Sequence, residues 1–257
     1  MSRLRERLGE PPLLVGVVHL PPLPGYLGSP GLDALRRHAL ADLEVFAEGL
    51  DAILIENEHD RPPRLTAGPE TVAVLTAVCR AVVEAARLPV GVEILLNDPE
   101  ASLAVAAASG CAFIRTDYFV DEMERPEYGP MRIDPDGLMA YRERIGAGHV
   151  LVVADIQVKY ATMLRPRSLA ESARLAAEKG ADAVVVSGTR TGEPPSVAEL
   201  RDARRGGCPV LIGSGTDPAN AGDLLAVCDG AIVGTSILRN GRGDPEAVRA
   251  LARAAGR

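Results

Sequence analysis

The chain has 257 residues, 47% of them hydrophobic, enough to bury a large core as one domain, since α/β barrels of about 250 residues are commonly single units. Its formal charge of −7 at pH 7 and the lack of any basic run or aromatic stacking motif argue against a nucleic-acid partner, which requires a Lys/Arg surplus on one face. The apolar runs, roughly 5 to 8 residues against the 18 or more of a membrane span, and the charged opening over residues 1–10 argue against membrane insertion or a signal peptide and lead us to expect a cytoplasmic protein.

After a short predicted N-terminal helix, the first strand, LLVGVVH (13–19), ends on His19, and the three prolines of LPPLPG stop it there. Helical spacing over 33–48 leads to AILIE (52–56), which ends on Glu56 and Asn57. The polar residues Glu58, His59 and Asp60 that follow are expected to be solvated. A helix over 69–86 precedes VGVEIL (90–95), which carries Glu93, with Asn97 beyond it and Asp98 before Pro99 as an expected N-cap. A helix over 98–108 leads to AFIRT (112–116) with Arg115 and Asp117, and VLVVAD (150–155) ends on Asp155, followed by Gln157 and Lys159. A helix over 169–179 precedes AVVVS (183–187), ending at Ser187, Gly188 and Thr189. A helix over 197–204 leads to VLIG (210–213), and one over 218–227 leads to AIVG (231–234).

These runs are continuous rather than alternating, as strands buried on both faces of a parallel sheet should be. Eight of them alternating with helices predict a single-domain (β/α)8 TIM barrel over 1–257. The segments 49–57, 110–118, 180–188 and 228–236 echo one another, each placing a turn or small residue before an Ala-led strand. An open doubly wound sheet is the weaker alternative, because it needs a Gly-rich turn where HLPPLPG stands. The four cysteines, Cys79, Cys111, Cys208 and Cys228, have no close metal-ligand spacing and are expected to be reduced core residues.

Barrel active sites form at the C-terminal strand ends. The expected catalytic set is therefore His19, Glu56, Glu93, Arg115, Asp117, Asp155 and Lys159, with Arg190 as a further cation. Buried carboxylates are costly singly, and Glu93 is expected to pair with Arg115. Glu56, Glu93, Asp117 and Asp155 suit either acid–base work or oxygen ligation of a divalent metal, and spacing does not choose between them. No cofactor beyond that open metal is indicated. GSG (213–215) and GTS (234–236) form two small-residue turns, and backbone N–H groups there can approach an anion closely. The expected phosphate cradle is Ser187, Gly188, Gly213, Ser214, Gly215, Gly234, Thr235 and Ser236. The expected partner is thus a small phosphorylated ligand. A homo-oligomer stays open, with no face located for it. The long stretches 117–137 and 56–70 are expected to be lids, with Tyr118, Phe119 and Tyr128 contacting a ligand or partner.

GVVHLPPLPG, ILIEN, PETVAVLTAVCR, LPVGVEILLND, FIRTDYF, ADIQVKYA, GADAVVVSGTRTG and VLIGSGTDPAN with DGAIVGTSI run in order through nearly the whole chain. Together they resemble the BtpA/SgcQ family. The resemblance implies either a role of the photosystem I biogenesis kind, after which BtpA-like members are named, or the enzymatic role presumed for SgcQ-like members of a carbohydrate gene cluster. ENEHDRPPR after the second strand and Glu93 in the third depart from the family pattern, both on the expected rim. The leading expectation is an enzyme acting on a sugar phosphate or nucleotide by lyase, isomerase or hydrolase chemistry. The alternatives are a non-catalytic assembly factor and a sensor of a phosphorylated metabolite.

Overall fold

The computed structural model describes residues 2–257. Eight parallel strands close into a barrel in chain order: β1 (Leu13–His19), β2 (Ala52–Glu56), β3 (Val90–Glu93), β4 (Phe113–Thr116), β5 (Leu151–Ile156), β6 (Ala183–Val186), β7 (Val210–Ile212) and β8 (Gly230–Val233), with β8 paired to β1. The fold is the (β/α)8 barrel that the sequence predicts. Helix α1 (Arg3–Leu8) precedes the barrel, and Leu4 and Leu8 join Leu13, Leu151 and Leu211 at the N-terminal end of its interior. The outer helices are α2 (Leu32–Phe46), α3 (Pro69–Ala85), α4 (Pro99–Ser109), α5 (Pro135–Arg144), α6 (Leu169–Glu178), α7 (Val197–Arg204), α8 (Ala221–Leu225) and α9 (Pro245–Ala254). Asp98 caps α4 by accepting from Ala101 N. Among the described residues no helix is long and apolar enough to cross a membrane. The four cysteines are buried and free.

Alternation along each strand sorts its residues between two cores. Leu14, Val18, Ile53, Ile55, Val92, Ile114, Val152 and Ala154 face outward into the layer beneath the helices. Val15, Val17, Leu54, Phe113, Val153, Val185, Leu211 and Ile232 face into the barrel. Gly91 belongs to this interior: a Cβ there would stand 2.3 Å from the Phe113 ring, so its bareness makes room for the one aromatic that fills this level.

The 117–137 stretch is more ordered than a bare loop. Met123–Arg125 and Gly129–Met131 form a hairpin, and Thr162–Met163, from the loop after β5, adds a third antiparallel strand. Tyr118 and Phe119 do not reach outward as expected. Tyr118 is 1% exposed and packs with Leu96, Met123, Met131 and Val158 beneath this small sheet, while Phe119 lies in the main core. Asp60, expected in solvent, is buried because its carboxylate accepts from Leu23 N and Asn57 Nδ2, tying the loop after β1 to the loop after β2.

Candidate functional site

One more step along each strand, two residues past the interior level of Val17, Leu54, Gly91, Phe113, Val153, Val185, Leu211 and Ile232, reaches the mouth of the barrel. Period-two geometry therefore aims His19, Glu56, Glu93, Arg115, Asp155, Ser187, Gly213 and Gly234 inward together. This upper layer is charged along β1 to β5 and small along β6 to β8. The same alternation that builds the apolar core thus delivers a polar ring at the open end.

Arg115 is the centre of the charged half. Its Nε and Nη2 donate to Asp155 Oδ2 and Oδ1 at 2.7 and 2.9 Å, a bidentate pair. Its Nη1 donates to Glu56 Oε1 at 3.3 Å and stands 3.6 Å from Glu93 Oε2. Glu56 and Glu93 are register partners on β2 and β3, and His19 is the register partner of Glu56 on its other side. His19 Nε2 lies 3.7 Å from Glu56 Oε2.

These charges are crowded and dry, and their proton affinities move accordingly. Burial pushes Glu93 well above the usual carboxylate range; Arg115 opposes the rise, and the Glu56 and Asp155 charges add to it. Burial raises Glu56 as well, against the pull of Arg115 and of a hydrogen bond from Glu93. The two carboxyl groups titrate as a pair, and burial favours the protonated form of both. Burial, then the Asp155 and Glu93 charges, lift Asp117 well above its ordinary value. Burial works to lower Arg115, but the charges of Asp155 and Glu93 hold it well above its ordinary value. Burial lowers His19 below 6.5, leaving a neutral imidazole near pH 7. The mouth thus sets carboxyl groups of raised proton affinity beside an imidazole of lowered proton affinity, an arrangement that acid–base chemistry can use. Among the described residues no group of three His, Cys, Asp or Glu side chains is arranged to hold a metal ion. The Arg115 guanidinium occupies the point on which Glu56, Glu93 and Asp155 converge.

The small half is shaped by close backbone packing. A Cβ on Gly213 would stand 2.4 Å from Ser187 Oγ and 3.3 Å from Arg115 Nη2. Gly215 has φ +74°, and a Cβ there would meet Pro194 N at 2.2 Å. A Cβ on Gly234 would stand 3.2 Å from His19 Cε1. The turns after β6 and β7 are locked together: Gly188 N donates to Ser214 Oγ, which donates to Glu193 O at 2.8 Å. Ser236 Oγ donates to Thr216 O at 2.7 Å, linking the turns after β7 and β8. With the side chains so engaged, the N–H groups of Ser214, Gly215 and Thr216 have no hydrogen-bond partner among the described residues. Consecutive unpaired N–H groups in a turn form a concavity suited to an anion.

Both halves open into one cavity of about 610 Å³. Of the expected catalytic set, His19, Glu56, Arg115, Asp117 and Lys159 line it, while Glu93 and Asp155 lie behind Arg115. Of the expected cradle, Gly213, Ser214, Gly215, Gly234, Thr235 and Ser236 line it. Ser187 and Gly188 do not; Ser187 Oγ is buried without a partner and Gly188 N is spent on Ser214. Arg190 is exposed and away from the cavity. Glu58, expected in solvent, also lines it, as do residues that sequence reasoning passed over: Arg61 after β2, Leu95 and Leu96 after β3, Arg125 on the hairpin and Tyr160 after β5. Their signal was position in the long loops at strand ends, and Tyr160 directly follows Lys159.

Residues 11–257 match the model of the BtpA family. The chain is 34% identical to the photosystem I biogenesis protein BtpA of Synechocystis over 234 residues, 89% of this chain and 81% of that protein. In fold it is similar to N-(5'-phosphoribosyl)anthranilate isomerase from Pyrococcus furiosus, with a TM-score of 0.60 and 15% identity over 95% of this chain and 98% of that one. It is similar likewise to thiamine phosphate pyrophosphorylase from the same organism, with a TM-score of 0.61 and 17% identity over 98% of each chain.

Proposed function

From the premise that the chain belongs to the BtpA family, we propose that it is an enzyme that acts on a small phosphorylated metabolite by acid–base chemistry. The phosphate sits on the turns after β7 and β8, held by the N–H groups of Ser214, Gly215 and Thr216. The reacting end lies over Arg115, between His19 on one side of the mouth and Asp117 on the other. His19 accepts a proton as a neutral imidazole, and Asp117, whose proton affinity burial and its acidic neighbours raise, is the proton donor. Arg115 stabilises negative charge that develops on the substrate, and Asp155 and Glu93 hold it in place. The reaction class is lyase, isomerase or hydrolase.

The observation that carries this reading is the meeting, in one cavity, of unpaired backbone N–H groups and buried titratable groups with opposed proton affinities. Two structural neighbours whose names carry phosphorylated compounds support the choice of ligand. A thermal-shift panel of phosphorylated metabolites tests it. A ligand at about 100 times its Kd is expected to raise the melting temperature by about 5 °C or more. No shift with any phosphorylated compound would remove the reading.

A further inference from the structure

Beyond the phosphate turns the cavity has an aromatic and apolar lining: Tyr128 and Tyr160 with Leu95, Leu96 and Pro63, among the charged Glu58, Arg61 and Lys159. The chain has only five tyrosines, three phenylalanines and no tryptophan, and it spends two of the tyrosines here. Each is fixed in place. Tyr160 is 51% exposed, yet its hydroxyl accepts from Thr191 N at 2.9 Å and donates to Thr191 Oγ1 at 3.2 Å, so the ring stands open but tethered. The Arg125 guanidinium lies 5.9 Å from the centre of the Tyr128 ring. A tethered open ring is a stacking platform. The cavity, at about 610 Å³, lies mid-range among sites that enclose drug-sized ligands and exceeds what a phosphate and one small sugar need.

Building on the phosphate reading above, we infer that the ligand is a nucleoside 5'-monophosphate, with its phosphate on the β7 and β8 turns and its base on Tyr160 and Tyr128. Stacking accepts either base type, because every base presents a π face. Calorimetric titration of the full chain with inorganic phosphate, ribose 5-phosphate, AMP and UMP tests this. At least one nucleotide is expected to bind about tenfold or more tightly than ribose 5-phosphate, the scale of one aromatic stack. In Y160A and Y128A that advantage is expected to shrink, and in the double variant to vanish, with far-UV circular dichroism confirming that each is folded. Equal affinity for ribose 5-phosphate and both nucleotides, or an advantage that survives in the double variant, overturns the inference while leaving the phosphate site standing. Failure of phosphate, ribose 5-phosphate and both nucleotides to bind overturns both.

Discussion

Arg115 faces three carboxyl groups at once, and its removal tests whether the ring is one electrostatic unit. In R115M, Asp155 and Glu56 would remain buried without their cation, and a buried charge stripped of its partner costs about 3–5 kcal/mol. Urea unfolding at pH 7 should show a loss of that order, partly recovered at pH 5 as the carboxyl groups take up protons. An unchanged midpoint would mean the ring is not coupled. The pH dependence of the wild type follows from the same groups. Glu93 and Asp117 have folded-state values raised above 4.5 and 3.8, so above those values the native state binds more protons than the unfolded one. Stability is therefore fully present below them and falls as pH rises toward the folded values. His19, lowered below 6.5, has the opposite sign and acts only below that value. As pH rises above 4.5 the carboxyl contribution to the unfolding free energy should fall, and E93Q should remove part of that fall; an E93Q pH dependence identical to the wild type's would contradict the assignment. At this scale the sequence showed which residues end each strand, because continuous apolar runs mark those ends. It did not show that Ser187 Oγ would be walled in or that Asp60 would be buried, since both depend on backbone groups from other loops.

The turns and the hairpin show how elements divide the site. The turn after β7 passes so close to the turn after β6 that only glycine fits at 215, where φ is +74° and Pro194 N would lie 2.2 Å from a Cβ. G215A should destabilise by about 1–3 kcal/mol and weaken phosphorylated ligands; calorimetry and chemical unfolding read the two effects, and a variant with wild-type affinity would show that the turn's shape does not matter for binding. The strand positions were legible because period two and parallel burial leave a strong signal, and β1, β2 and β6 begin where the sequence places them. Helix α5 was hidden by the long segment before it, and α9 went unremarked after the eighth strand, although Pro245 and the N-cap Asp244 mark its start. The hairpin was not legible at all. Its third strand pairs Met123 with Met163, residues from separate loops, and no local pattern announces such a partner.

As a whole, the molecule is closed at one end and chemically open at the other. Leu4 and Leu8 of α1 join the apolar residues at the strand starts, and the polar ring lies at the strand C-termini, the usual division in this fold between stability and function. The family pattern was readable along nearly the entire chain because its motifs, apart from PETVAVLTAVCR on α3, include the strand ends that form this ring. The proposed base-stacking lining was not readable, because Pro63, Leu95, Tyr128 and Tyr160 come from four different loops. The central claim is that the turns after β7 and β8 hold a phosphate. The most direct test is a crystal structure grown in phosphate or sulfate. The expected result is a tetrahedral anion within hydrogen-bond distance of the N–H groups of Ser214, Gly215 and Thr216; anions bound elsewhere on the protein with none at these turns would contradict it.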